Sequence, residues 1–222
     1  MQLITITGGR TLHGRIRPAA AKNSVLPLLA ATLLCRTPSR LRAVPPLADV
    51  ATSLALLQSV GAKAERQGSD LFVAPGQDLQ GEIPDYLAGA MRSSVFYLAP
   101  LLCRVGEVRL PLPGGCKLGP RPVDIHLAGL AAMGAQVELE GIAVTLRRRG
   151  PLHGVDFALR LPSVGATMTL MMAATQAGGT TILRGAACEP EICDLANFLR
   201  ACGAHITGAG TPVVVIQGGK PL

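Results

Sequence analysis

Residues 130–139 read L-A-A-M-G-A-Q-V-E-L, and related stretches occur at 56–65 (L-L-Q-S-V-G-A-K-A-E) and at 199–208 (L-R-A-C-G-A-H-I-T-G). In each copy an apolar helical pattern stops at a glycine, after which an alanine and an extended segment follow. The three glycines are Gly61, Gly134 and Gly203. This repetition indicates that the chain is built from three copies of one unit.

Each unit has the predicted order helix, strand, loop, helix, strand, strand. The upstream apolar helices are predicted at 24–34, 93–102 and 167–177. The short strands after them are predicted at 39–43, 107–110 and 180–184. The closing hairpins are predicted at 63–74, 136–147 and 205–217. The aspartates predicted to open the second helices, where a carboxylate favours the positive helix end, are Asp49, Asp124 and Asp194.

The helices of the units are too apolar to form a surface layer. The segment 167–177, T-M-T-L-M-M-A-A-T-Q-A, is apolar on nearly every side, as an interior helix would be. We therefore predict an α/β (α+β) fold, an inside-out domain of three pseudo-threefold repeats with helices inside and sheets outside. A doubly wound parallel sheet is the ordinary alternative, but the predicted antiparallel hairpins argue against it.

Composition limits the classes of partner. The formal charge is +7, which suggests a polyanionic partner. Aromatic residues make up only 3% of the chain, which argues against nucleic acid because few rings could stack on bases. The sequence shows no signal peptide and no apolar run of membrane-spanning length. We expect a cytoplasmic protein that binds neither nucleic acid nor membranes and needs no cofactor and no metal.

The chain has six cysteines and no C-x-x-C spacing, which suits a reducing compartment. Cys35, Cys103 and Cys202 fall in apolar helical patterns and are predicted to be buried thiols. Cys116 differs, because it lies in the segment 110–126, L-P-L-P-G-G-C-K-L-G-P-R-P-V-D-I-H. Its prolines and glycines predict a long loop. A lone cysteine is more often an inert apolar residue, but a loop thiol beside Lys117 and Arg121 favours a reactive thiolate.

Cations recur where the first helices begin. The three units read A-K-N-S, M-R-S-S and V-G-A-T there, so Lys22 and Arg92 hold equivalent positions. Free N–H groups at helix N-termini bind anions, and a cation beside them predicts a phosphate or carboxylate site. The alternative is that both are solvated surface charges. The turn at 163–167 is a second candidate cradle. Asp124 is best explained as a helix-capping residue, because Asp49 and Asp194 share its position, whereas packing and binding explain His126 about equally well.

Several motifs occur in a fixed order: A-K-N, M-R-S, P-G-G-C-x-x-G-x-R-P-V-D-x-H, S-V-G-A-T and E-P-E-I-x-D-x-A-N-F-L. In these the chain resembles the enolpyruvyl transferase family, in particular the members that act on UDP-N-acetylglucosamine. The resemblance covers essentially the whole chain. The cysteine loop makes it specific, because the sister enzymes acting on shikimate 3-phosphate lack that loop and carry S-K-S in place of A-K-N.

The resemblance implies transfer of the enolpyruvyl group of phosphoenolpyruvate to the 3-hydroxyl of UDP-N-acetylglucosamine, by addition and then elimination of phosphate, in the first committed step of peptidoglycan synthesis. It implies that Cys116 is the catalytic proton donor and the target of fosfomycin, and that Lys22 and Asn23 hold phosphoenolpyruvate. The implied UDP-sugar-binding residues are Arg92, Arg121, Pro122, Val123, Asp124, Ile125, Leu161, Pro162, Ser163 and Val164. Leu161 stands where many members carry a lysine.

Members of this family are about twice as long as this chain, more than a usual single domain, and fold as two domains that close over the substrates. On this resemblance, residues 21–222 correspond to the first domain, and residues 1–20, with a strand predicted at 3–7, to a segment that pairs with the second. We expect that second domain to be absent, the isolated domain to have little activity, and a homodimer to be one substitute. The alternative is a non-catalytic UDP-sugar-binding or regulatory half-length relative.

Overall fold

The computed structural model describes residues 3–11, 13–16, 21–111 and 123–222. Cys116, Arg121 and Pro122 of the predicted site lie outside the described residues. Residues 3–11 and 13–16 form no helix or strand, so the strand predicted at 3–7 is not formed in this part of the described chain. Their large apolar side chains, Leu3, Ile4, Ile6 and Ile16, are 82% or more exposed.

Three units follow one another along the chain. Unit 1 comprises α1 (Lys22–Ala31) with a 3₁₀ turn (Thr32–Leu34), β1 (Ser39–Leu41), α2 (Ala48–Ser59), β2 (Lys63–Gln67) and β3 (Asp70–Ala74). Unit 2 comprises α3 (Asp85–Ala90), a 3₁₀ segment (Arg92–Tyr97), α4 (Leu98–Val105), β4 (Glu107–Pro111), α5 (Asp124–Ala132), β5 (Gln136–Glu140) and β6 (Ala143–Arg147). Unit 3 comprises β7 (Asp156–Ala158), α6 (Val164–Gln176), β8 (Thr180–Arg184), α7 (Pro190–Ala201), β9 (His205–Thr207) and β10 (Val213–Gln217).

Each unit forms its own sheet, with the strand orders β1-β3-β2, β4-β6-β5 and β7-β8-β10-β9. In every sheet the last strand of the hairpin lies in the middle and pairs antiparallel with both neighbours. Strand β7 differs, because it pairs with β8 in the parallel direction. The repeated topology confirms the three predicted units and their hairpins, and it rules out a doubly wound parallel sheet for the described chain.

The helices form the centre of the domain. All four of Met168, Leu170, Met171 and Met172 on α6 are inaccessible to solvent, and α6 packs against α4, α5 and α7. The sheets lie outside this helical core and contribute one apolar face each; Val214 on β10 is fully buried between two less buried neighbours. The inside-out arrangement predicted from the apolar helices is therefore confirmed.

The Gly-Ala repeats end the second helix of each unit as predicted. Gly61, Gly134 and Gly203 have φ values of 95°, 103° and 105°, in the left-handed region that only glycine adopts without strain. The prediction for Asp194 is wrong, because α7 begins at Pro190 and Asp194 lies one turn inside it. Pro190 supplies the start signal instead, since proline is well suited to the first helical position.

Two elements were not predicted, namely α3 and β7, which are only six and three residues long. The first helix of unit 2 was predicted at 93–102, but its first turns are 3₁₀ and its α-helical part begins at Leu98. None of the helices in the described ranges has the length and apolar character needed to cross a membrane.

Candidate functional site

One cavity of about 470 Å³ lies where the helices of all three units begin. It is lined by residues in the first turns of α1, α2, α5, α6 and α7 and of the 3₁₀ segment before α4. Free backbone N–H groups and the positive ends of helix dipoles therefore point toward one volume. Such a convergence favours anions, because several partial positive charges act on the same bound group.

The two predicted cations meet in this cavity. Lys22 is the first residue of α1 and Arg92 the first of the 3₁₀ segment, and both line the cavity. Neither segment has a side-chain cap, so their first N–H groups are not satisfied by a capping side chain. The cations at equivalent positions of two repeats thus line one shared cavity.

Carboxylates of neighbouring helices hold the start of α1. Lys22 Nζ forms an ion pair with Asp49 Oδ2 on α2. Asn23 Nδ2 donates a hydrogen bond of 3.3 Å to Glu191 Oε1 on α7. One residue later, Ser24 Oγ donates to Asp194 Oδ2 at 2.5 Å. These contacts fix the position of the first turn of α1 at the edge of the cavity.

His126 forms part of the cavity wall and is buried, with 6% of its surface exposed. Its Nδ1 lies 2.9 Å from Thr169 Oγ1 on α6, which fixes the ring. Burial, together with the positive charge of Arg92, lowers the pKa of His126 to about 4, although Asp124 acts in the opposite direction. The imidazole is therefore neutral at pH 7 and contributes hydrogen-bonding capacity, not charge.

The start of α6 approaches this imidazole closely. A Cβ added at Gly165 would lie 3.0 Å from His126 Cε1, so glycine allows the two helices to meet at the cavity wall. Ser163 caps α6 by accepting a hydrogen bond of 3.3 Å from the N–H of Ala166. Ser163, Val164 and Gly165 all line the cavity, and the prediction that this turn binds a phosphate stays a prediction.

The other predicted residues are placed differently. Asp124 Oδ2 accepts a hydrogen bond of 2.6 Å from Arg160, which lowers the pKa of that carboxyl. Ile125 is buried in the core, with 7% of its surface exposed. Val123, Asp124, Ile125, Leu161 and Pro162 do not contribute to the lining of the described cavity. The structure therefore brings together Lys22, Asn23, Arg92, Ser163 and Val164.

Three polar cavity residues were not predicted as binding residues: Asp49, Ser93 and Glu191. The sequence offered Asp49 as a helix opener and Glu191 within the E-P-E-I motif, but neither pattern indicated a contact with α1. Ser93 Oγ is buried and has no hydrogen-bond partner among the described residues. A buried hydroxyl without a partner next to a cavity can form a hydrogen bond with a bound ligand.

A larger cavity of about 560 Å³ lies against the β2–β3 hairpin. It is lined mainly by apolar residues together with Lys63 and Glu65, whose charges are opposite. No helix N-terminus of the described chain opens into it. We therefore assign the candidate site to the cavity beside Lys22 and Arg92. Across the described ranges no group of three or more His, Cys, Asp or Glu residues could hold a metal ion.

A comparison with known families matches nearly the whole chain. Residues 6–222 match the family model described as EPSP synthase (3-phosphoshikimate 1-carboxyvinyltransferase). The chain belongs to this EPSP synthase family of enolpyruvyl transferases.

Among curated relatives in this family, the chain is 45% identical over 223 residues to the UDP-N-acetylglucosamine 1-carboxyvinyltransferase of Cellvibrio japonicus, covering 100% of this chain and 53% of that protein. It is 48% identical over 222 residues to the protein of the same name from Oleidesulfovibrio alaskensis, again covering 100% and 53%. The chain thus spans about half the length of the curated relatives it matches.

A solved member of the enolpyruvyl transferases has the same architecture. The crystal structure of the enolpyruvyl transferase NikO from Streptomyces tendae superimposes with a TM-score of 0.83 at 25% sequence identity. The match covers 97% of this chain and 51% of that one. The whole of this inside-out body therefore corresponds to about half of a larger enolpyruvyl transferase.

Proposed function

We propose that this chain is the Cys116-bearing domain of an enzyme that transfers the enolpyruvyl group of phosphoenolpyruvate to the 3-hydroxyl of UDP-N-acetylglucosamine in the cytoplasm, in the first committed step of peptidoglycan synthesis. The observation that carries this proposal is the cavity where Lys22, Arg92 and the helix N-termini converge. Both substrates carry several negative charges, which such a cavity stabilises. The names of the relatives at 45% and 48% identity support the choice of substrates.

Lys22 and Asn23 are assigned to phosphoenolpyruvate. Lys22 supplies a cation and Asn23 an amide at the first turn of α1, where free N–H groups add to the attraction for a phosphate. Arg92 and the Ser163–Val164 turn are assigned to the UDP-sugar, and they line the same cavity as Lys22 and Asn23. The finer assignments to Arg121, Pro122, Val123, Asp124, Ile125, Leu161 and Pro162 rest on the motif resemblance.

The proposed reaction needs an acid that delivers a proton to a carbon atom of phosphoenolpyruvate. The sugar hydroxyl adds to C2 of phosphoenolpyruvate while a proton is delivered to C3, and the adduct then loses phosphate and that C3 position loses a proton. We assign the proton donor to Cys116 from the P-G-G-C motif. The neutral His126 cannot supply a proton readily at pH 7, because its pKa is lowered to about 4.

Residues 21–222 are proposed to form one domain of this enzyme, with residues 1–20 contacting a second domain or a second copy of the chain. The exposed side chains of Leu3, Ile4, Ile6 and Ile16 support such a contact, because isolated chains rarely expose so many large apolar groups in one segment. Without a covering domain water enters the site, and we expect turnover by this chain alone to be low. Size-exclusion chromatography with light scattering distinguishes a dimer from a monomer.

Fosfomycin labelling tests the proposed function. Intact-mass and peptide analysis after treatment is expected to show one adduct at Cys116, absent from Cys116→Ser, while UDP-N-acetylglucosamine binding is retained in both proteins. A folded chain whose Cys116 stays unmodified, under conditions that label a full-length relative, contradicts the assignment.

A non-catalytic sugar-nucleotide module is the second candidate, and the observation that favours it is that Lys22, Arg92 and the Ser163–Val164 turn line one cavity, which is enough to bind an anionic ligand without turnover. Phosphate release from phosphoenolpyruvate in the presence of UDP-N-acetylglucosamine separates the two. An enzyme releases phosphate and rescues transferase-deficient cells, alone or with its second domain. A binding module does neither, although it binds the nucleotide.

A further inference from the structure

The helices α1 and α7 lie side by side and are in contact at both ends. At their N-terminal ends they are joined by the Asn23–Glu191 and Ser24–Asp194 hydrogen bonds. At the opposite ends, far along both helices from the cavity, Cys35 Sγ lies 3.4 Å from Cys202 Sγ. The two helices therefore run parallel, and a pair of thiols connects unit 1 with unit 3.

The two thiols differ in exposure. Cys35 follows the 3₁₀ turn after α1 and is 3% exposed, whereas Cys202 caps the C-terminus of α7 and is partly accessible. A disulfide bond is about 2 Å long, so closing it requires an approach of about 1.4 Å from the observed separation. Displacements of this size fall within side-chain rotation and small shifts at helix ends.

A positive charge stands beside this pair. Arg104 Nη1 donates hydrogen bonds to the carbonyl oxygens of Leu33 (2.6 Å) and Cys35 (3.4 Å), which holds the guanidinium near the Cys35 thiol. The hydrogen bond with Cys202, aided by the charge of Arg104, lowers the pKa of Cys35 although burial opposes it. Thiolate is the form that attacks a disulfide, so Cys35 is suited to the second step of an exchange reaction.

We propose that Cys35 and Cys202 form a reversible intramolecular disulfide that links unit 1 to unit 3. Two thiols alone do not make the bond, because an oxidant must accept two electrons; a small-molecule disulfide such as oxidised glutathione is the class that fits. The hydrogen bond to Cys35 and burial raise the pKa of Cys202, so the partly accessible Cys202 reacts as the thiol: its sulfur attacks one glutathione sulfur, and its proton leaves with the released glutathione. The Cys35 thiolate then attacks the sulfur of Cys202 and releases the second glutathione. The proposal is independent of the enzymatic function.

The test uses the unmodified chain in oxidised glutathione, followed by acid quenching, alkylation and non-reducing peptide mapping. We expect a crosslinked peptide containing Cys35 and Cys202, loss of these two thiols from the alkylated fraction, and their return with dithiothreitol. Oxidation is expected to raise the melting temperature by roughly 5–10 °C, because the bond closes a long loop. Cys202→Ser should abolish both the crosslink and the rise.

Two other thiols serve as internal controls. Burial raises the pKa of Cys103 to about 12, so this partly buried residue stays a thiol and should not react with oxidised glutathione. Cys188 is exposed and should retain glutathione as a mixed disulfide. If Cys35 and Cys202 are both recovered alkylated from folded, oxidised protein while Cys188 is modified, the proposal is overturned. Recovery of Cys202 as a stable glutathione adduct, with Cys35 reduced, overturns it as well.

Discussion

Lys22 and Asp49 form an ion pair across the edge of the candidate site, although they belong to the first turns of different helices. Their side chains are 52% and 31% exposed, so solvent screens the pair. Screened pairs of this kind contribute little to stability. The contact therefore orients the lysine toward the cavity at little energetic cost, and an incoming phosphate can compete for the ammonium group.

Replacing Lys22 with alanine should weaken the binding of phosphoenolpyruvate by roughly 10- to 100-fold, since a hydrogen bond to a charged group contributes about 1.5–3 kcal/mol. Asp49→Asn should act in the opposite direction or leave affinity unchanged, because it removes a negative charge from an anion site. Isothermal titration calorimetry on the folded variants measures both effects. Lys63→Ala is the matched control, an exposed lysine on β2 outside this cavity. Equal losses in the two lysine variants would contradict the assignment.

The sequence predicted the elements that depend on local signals. Gly61, Gly134 and Gly203 each end a helix through a positive φ, and such a requirement is visible in the residue type itself. The hairpins were predicted correctly because each follows directly on a Gly-Ala helix stop that recurs in all three units. The interior position of α6 followed from its composition, which left no polar face for solvent.

Contacts between distant residues could not be predicted in this way. The Asn23–Glu191 hydrogen bond joins positions 168 apart, and nothing in either local sequence indicates the other. Asp194 was read as a helix opener because two other repeats carry an aspartate there, whereas it binds Ser24 from inside α7. Asp124 and Arg160 likewise find each other only through the packing of units 2 and 3. Repeats share topology, but side-chain partners depend on which unit lies next to which.

Stability should fall below pH 6.5 because of His126. Its folded pKa is lowered to about 4 from an ordinary value of 6.5, so between these values the unfolded chain takes up a proton that the folded chain excludes. The stabilisation is complete above pH 6.5 and decreases as the pH falls toward 4, by about 3 kcal/mol in total. Urea unfolding at pH 7 and pH 4.5 measures this slope.

His126→Gln keeps a hydrogen-bonding side chain beside Thr169 but cannot titrate. The free energy of unfolding of this variant should therefore depend much less on pH between pH 7 and pH 4.5 than that of the unmodified chain. His205→Gln, at an exposed position on β9, is the control and should retain the slope of the unmodified chain. An unchanged slope in His126→Gln would show that other groups cause the acid sensitivity.

Gly129 is required for the contact between α5 and α6. A Cβ there would lie no more than 3.0 Å from three side-chain carbons of Leu170, which is fully buried. Gly129→Ala should therefore destabilise the domain by about 1–3 kcal/mol despite the better helix propensity of alanine. Gly89→Ala is the matched control, because α3 leaves open space there and the change should stabilise slightly. Chemical denaturation followed by circular dichroism distinguishes the two, and equal behaviour would contradict close packing at Gly129.

Arg104 satisfies carbonyl groups at the end of the core opposite the candidate site. Its guanidinium donates to Leu33 O at 2.6 Å and to Gly76 O at 3.1 Å, which joins the end of the first helix to the segment after the β2–β3 hairpin. Arg104→Ala leaves these partly buried acceptors without a donor and should cost about 1–3 kcal/mol. Arg104→Lys should recover only part of this stability, because an ammonium group cannot reproduce the planar fork of the guanidinium.

Urea unfolding in dithiothreitol, which keeps Cys35 reduced, measures the loss of stability, with Arg36→Ala at an exposed position as control. If Arg104→Ala unfolds at the same urea concentration as Arg36→Ala, these carbonyl contacts do not stabilise the fold.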